Sequence, residues 1–126
     1  MIENITTADY GSDLPFSPAK KIYLGEKCLI FVSGIQPPKG VTEDIAEQTK
    51  LVYEEINNIL TSAGATMDDV VKAVIYVTDM NDFKVISPIR NEYFKNSKPV
   101  STMVEVNGMT RSDAKIEIEV TAVISK

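Results

Sequence analysis

The stretch DVVKAVIYVTDMNDF, Asp69 to Phe83, decides the fold. Its first part is a nearly continuous apolar run, Val70 to Val77, rich in β-branched residues and interrupted only by Lys72. That composition reads as a strand buried on both faces. Both flanks have helical periodicity. Upstream, Thr42 to Ala63 places Ile45, Val52, Ile56, Ile59, Leu60 and Ala63 on one stripe. Thr42 is a candidate N-cap, Glu43 and Asp44 suit the positive end of the dipole, and Gly64 is a natural stop. Such a helix spans about 33 Å, enough to cross a whole sheet. Downstream, NDFKVISPIRNEYF aligns Phe83, Ile86, Arg90 and Tyr93. Pro88 interrupts it, because an interior proline removes a hydrogen bond and clashes with the preceding turn. The spacing therefore predicts a turn over Asp82–Val85, Ser87 as N-cap and Pro88 at the first helical position.

The rest of the chain supplies strands. A short one is expected around Glu3–Thr6, followed by a loop, ADYGSDLPFSP. AKKIYL and CLIFVSG, separated by Gly25-Glu26-Lys27, form a hairpin pattern, and PPKG, Pro37 to Gly40, breaks the chain. Ser101–Val106 and Lys115–Ile124 complete the set; Ile116, Ile118 and Val120 face one side of the last strand, Glu117 and Glu119 the other. The order is β-β-β-α-β-α-β-β. An α/β (α+β) fold follows, a mixed sheet of about six strands with two helices packed on one face. A one-sided helical cover leaves the other face bare, so assembly through the sheet is expected.

Length and charge limit the function. The 126 residues are enough for one core, and oligomerisation would add to its stability. With a net charge of −5 and only two arginines, Arg90 and Arg111, nucleic acid is an unfavourable partner. Lys20-Lys21 reads as a solvated strand face rather than a phosphate grip. No apolar run reaches membrane-spanning length, and MIENITTADYG lacks a signal peptide's basic flank and apolar run, so a cytoplasmic protein without membrane contact is expected. The absence of histidine excludes Ser-His and Cys-His nucleophilic schemes and histidine-bearing metal sites. Cys28 alternates with Ile30 and Val32, which favours packing on a sheet face over a redox role.

Three places are candidates for chemistry. Glu117 alternates with isoleucines and from pattern alone is a solvated face residue. Ser33-Gly34 ends a strand, where glycine lets a ligand approach backbone N–H groups, although a turn requirement explains it equally well. Ser101, Thr102 and Met103, behind Pro99 in KPVSTMVEVNG, either line a cleft or form a polar strand end.

Taken together, PFSPA, IFVSG, LTSAG with the DDVVKAVIYVTDMNDF that follows, EYF, and VEV before KIEIEVTAV resemble the RidA/YjgF family of reactive-intermediate deaminases. The resemblance runs from about Pro15 to Val123 and treats residues 1–126 as a single domain of that kind. It implies a chorismate-mutase-like fold, a homotrimer, and small-molecule clefts between subunits. It also implies hydrolysis of 2-imino acids to 2-keto acids and ammonia, without metal or cofactor. In that scheme a strand arginine grips the substrate carboxylate and a glutamate orients the attacking water. The glutamate falls on Glu117, the turn on Ser33 and Gly34, and the cleft aromatic on Phe16, where the family often has tyrosine. This chain reads Ser-Gly-Ile-Gln, so Gln36 stands one position later than the family's glutamine. The arginine position is Ser101.

A guanidinium–carboxylate fork is a directed, doubly charged contact, and its loss costs roughly 1.5–3 kcal/mol. That amounts to about one to two powers of ten in affinity. A neutral imine or enamine would then suit the cleft better than an imino acid, unless Arg111, read as an exposed loop residue, compensates. The alternatives are a non-catalytic ligand-binding or protein-partner trimer and, against the acidic charge, a ribonucleolytic inhibitor of translation.

Overall fold

The computed structural model describes residues 1–7 and 14–126. The loop expected between the first two strands therefore falls partly outside the described residues. In chain order the elements are β1 (Ile2–Ile5), β2 (Ala19–Leu24), β3 (Lys27–Val32), α1 (Ile45–Ser62), β4 (Val70–Val77), α2 (Phe83–Tyr93), β5 (Val100–Glu105) and β6 (Ile116–Ser125). The expected order holds. The six strands form one sheet in the order β1-β2-β3-β6-β4-β5. Only β4 and β5 pair in parallel, across α2; every other pairing is antiparallel.

One face of the sheet carries the core. Val52, Tyr53, Ile56, Ile59 and Leu60 of α1 pack against Ile30, Ile75, Ile116 and Ile118, all buried. Each such side chain contributes about 1.5–3 kcal/mol relative to exposure. Cys28 is buried beside Ile30 and Val32, as the alternation requires. Gly25, at a φ of 61°, makes the tight β2–β3 turn.

Three expectations need correction. First, α1 is capped by Asp44, whose carboxylate accepts from Ala46 N–H, not by Thr42. Thr42 instead offers its carbonyl to the buried Gln48. Second, α2 runs through Pro88, entered from a short 3-10 turn over Met80–Asp82. Buried Ile86 anchors the segment, and Lys84, whose carbonyl loses its partner at Pro88, is exposed to solvent. Third, β4 is not buried on both faces. Ala73, Ile75 and Val77 face the helices, while Val74 and Tyr76 are half-exposed on the far side.

Among the described residues, no helix covers that far side. Leu24, Phe31, Val100 and Val104 lie on it, each more than a third exposed. No helix among the described residues is long and apolar enough to cross a membrane.

Candidate functional site

Glu117 projects from β6 onto the uncovered face, half-buried, while its neighbours Ile116 and Ile118 enter the core. Its setting comes from a local irregularity. Between the pairs Phe31↔Thr121 and Ile35↔Ile118, three residues of one strand, Val32 to Gly34, face two of β6, Glu119 and Val120. Such a bulge re-aims the chain beside a site. Beyond it, Ile35 and Ile118 exchange both backbone hydrogen bonds, at 2.9 and 3.0 Å. Because Ile35 points into the core, Gly34 and Gln36 on either side of it face Glu117.

Both neighbours matter. A Cβ on Gly34 would lie 2.5 Å from Glu117 Oε2, so the carboxylate rests where only glycine leaves room. Gln36 Nε2 donates to Glu117 Oε1 at 2.8 Å and lies 3.1 Å from Thr110 Oγ1. One carboxylate oxygen is thus fixed by an amide while the other lies over bare backbone. A carboxylate held in this way can accept a proton from water and orient it.

Next to it is Tyr76, the cross-strand neighbour of Glu117, whose hydroxyl donates to Glu119 at 2.5 Å. That bond, which a phenolate would lose, raises the Tyr76 pKa; desolvation and the nearby carboxylates add to the shift.

The other sequence candidates divide into two groups. Ser33 donates through Oγ to the Ser17 carbonyl at 2.7 Å, tying the segment that carries Phe16 to the end of β3. Phe16 and Gly34 line one cleft of about 640 Å³, together with Gln36, Lys39 and Arg111. Arg111 is therefore not a free loop residue. Its Nη2 donates to the Pro37 carbonyl at 2.6 Å and its Nε to Asp113 at 3.0 Å. Desolvation alone would raise the Asp113 pKa, but the Gly40 N–H and the Arg111 guanidinium outweigh it and hold the carboxyl below its usual range.

Ser101 and Met103 are elsewhere. They pair with Ala73 and Ile75 and so point to the helix side of the sheet, whereas Glu117 pairs with Tyr76 on the far side. Thr102, opposite Val74, shares the face of Glu117 but stands on the edge strand. One chain cannot bring Ser101 and Glu117 to the same small ligand. Ser101 instead lines a hollow of about 660 Å³ with Arg90 of α2.

Sequence reasoning missed Gln36 as the partner of Glu117 and Arg90 as the neighbour of Ser101. The Gly-Ile-Gln alternation after Ser33 was the available signal for the first. The second had none, since it depends on how α2 packs over β5.

Comparison with known proteins agrees with this architecture. A family model described as Endoribonuclease L-PSP matches residues 12–124. The chain is similar to a RutC family protein of Pyrococcus abyssi, 44% identical over 113 residues, which are 86% of this chain and 85% of the relative. It is similar to 3-aminoacrylate deaminase RutC of Acinetobacter baylyi, 35% identical over 109 residues and 82% of each chain. Among solved structures, E. coli TdcF with bound serine superposes with a TM-score of 0.82 at 28% identity, over 98% of this chain and 99% of that one. A family match over nearly the full length, close relatives and a shared fold converge: the chain belongs to the RidA/YjgF family of reactive-intermediate deaminases.

Proposed function

We propose that the chain hydrolyses small reactive imines, or enamines after tautomerisation, in clefts between the subunits of a homotrimer, with Glu117 as the water-orienting group. The observation that carries this reading is the carboxylate of Glu117, held by Gln36 over the bare backbone of Gly34. The reaction adds water across C=N. The water oxygen bonds to the imine carbon, and Glu117 passes the water's proton toward nitrogen. The resulting carbinolamine then expels ammonia to leave the carbonyl product. A protonated imine is electrophilic enough to need no cofactor.

The intersubunit location has its own support. Glu117 and Ser101 lie on opposite sides of one sheet, so a ligand touching both needs two chains. The apolar far face offers the area for assembly. Phe16, Ser33 and Gly34 line the Glu117 side, Met103 joins Ser101, and Thr102 lies at the edge between. Relatives point the same way in substrate class, one named for 3-aminoacrylate and one holding serine. Because Ser101 stands at the expected arginine position, handling of imino acids is altered. Ribonuclease action fits poorly with a net charge of −5.

The test generates 2-iminopropanoate with an amino-acid oxidase and follows keto-acid release. Glu117→Gln is expected to lower the enzyme-dependent rate at least about a hundredfold, the usual contribution of a positioned acid–base group. A wild-type protein indistinguishable from buffer on both imino acids and neutral imines would sink the hydrolytic reading and leave the ligand-binding trimer.

A further inference from the structure

We propose that Arg90 is the specificity-determining residue of the cleft, holding a ligand carboxylate in the hollow beside Ser101. The inference rests on the cleft reading above and narrows it: the ligand keeps its carboxylate, and the grip moves from β5 to α2.

The hollow is lined by basic side chains. In an acidic chain its walls carry Arg90, Lys95 and Lys98, with Asn91, Phe94, Pro99 and Ser101, and no carboxylate among the described residues lines it. Lys95 is committed to Glu92 at 2.8 Å, but Arg90 forms no ion pair among the described residues. Its Nη2 donates to Ser87 Oγ at 2.8 Å, its Nε and Nη2 reach Asn91 Oδ1 at 3.3 Å, and its guanidinium lies 5.7 Å from the Phe83 ring centre, which leaves Nη1 to donate elsewhere. These contacts orient the group without neutralising it. A guanidinium that keeps its charge and has donors to spare suits a carboxylate.

Two details reinforce this. Ser101 is exposed at the mouth, with a hydroxyl free to donate to the same anion. The buried ring of Phe94 and the Pro99 ring give the hollow an apolar part suited to a short carbon chain. A ligand seated there by its carboxylate meets Glu117 only from a neighbouring copy, because the chain's own Glu117 lies across the sheet.

The experiment measures binding apart from turnover. Pyruvate and its neutral isostere pyruvamide are titrated into the wild type, Arg90→Gln and Ser101→Asp. The wild type should prefer pyruvate. Arg90→Gln should weaken pyruvate about ten- to a hundredfold and pyruvamide little, the range for losing a charged hydrogen-bonding partner. Ser101→Asp, at an exposed strand position, should pair with Arg90 and produce the same selective loss, which decides the matter should Arg90→Gln fail to fold. Glu117→Gln enters for turnover alone, which it should lose.

No preference for pyruvate in the wild type, or full pyruvate affinity in a folded Arg90→Gln or in Ser101→Asp, overturns the proposal. Inorganic phosphate displacing pyruvate at equal concentration overturns the carboxylate assignment. Selective pyruvate binding with no imine hydrolysis would remove the catalytic reading and leave Arg90 in its role. Hydrolysis lost in Glu117→Gln but indifferent to Arg90 would do the reverse.

Discussion

At Gly34 the conformation of the backbone is less important than what lies against it. Its φ is not positive, and its value lies in the missing Cβ, whose place Glu117 Oε2 occupies. Gly34→Ala must push the carboxylate off its seat and away from Gln36. Because small displacements of a positioned group are costly, hydrolysis should fall about a hundredfold while the fold persists. Steady-state rates beside a thermal melt would check this; an active Gly34→Ala would show that the seat does not matter. At this scale the sequence was only partly legible. Glu117 looked like any polar residue between isoleucines, since alternation shows which face a side chain takes but not what it meets there. Gln36 was visible only as a displaced letter in a turn.

The elements were easier to read than their ends. The apolar stripe placed α1, but its first turn is set by Asp44 and by a buried amide that no periodicity marks. Gln48 is fully buried, donating to the Thr42 and Asp113 carbonyls and accepting from Lys115 N–H, at 2.9 to 3.0 Å. It fastens the start of the helix to the segment that enters β6 and ends near Glu117. Gln48→Leu keeps the volume and strands three backbone groups. At about 1 kcal/mol or more for each unpaired group, it should cost about 3 kcal/mol or more of stability. Urea denaturation would show this as a lower midpoint with an unchanged slope; a midpoint equal to the wild type would mean water replaces the amide. Pro88 shows the converse. A local rule against interior proline lost to the burial of Ile86 and to a solvent-exposed Lys84, neither of which the local sequence reveals.

The whole molecule was legible because its constraints are global. Helix, strand and helix around Asp69–Phe83 required a parallel pair, and helices on one side left a sheet face to be covered. The apolar run of β4 suggests burial on both faces because it shows the character of each face but not what covers it; Val74 and Tyr76 are half-exposed. The same geometry separates the proposed site into halves, Arg90 and Ser101 on one side of the sheet, Glu117 and Gly34 on the other.

Separated halves have a genetic signature. In the proposed trimer each cleft takes its anion grip from one copy and its carboxylate from the next. A chain disabled at Arg90 and a chain disabled at Glu117 are then defective in different halves. Refolded together at equal amounts, they should rebuild intact clefts at roughly one site in four, given random mixing around a cyclic assembly. Two inactive preparations would thus yield an active one, seen as keto-acid release that neither shows alone. A mixture as silent as its components would mean that each cleft belongs to a single chain. In that assembly the opposed faces of one sheet would make the proposed site a shared possession, open to rescue between mutant alleles in the same cell.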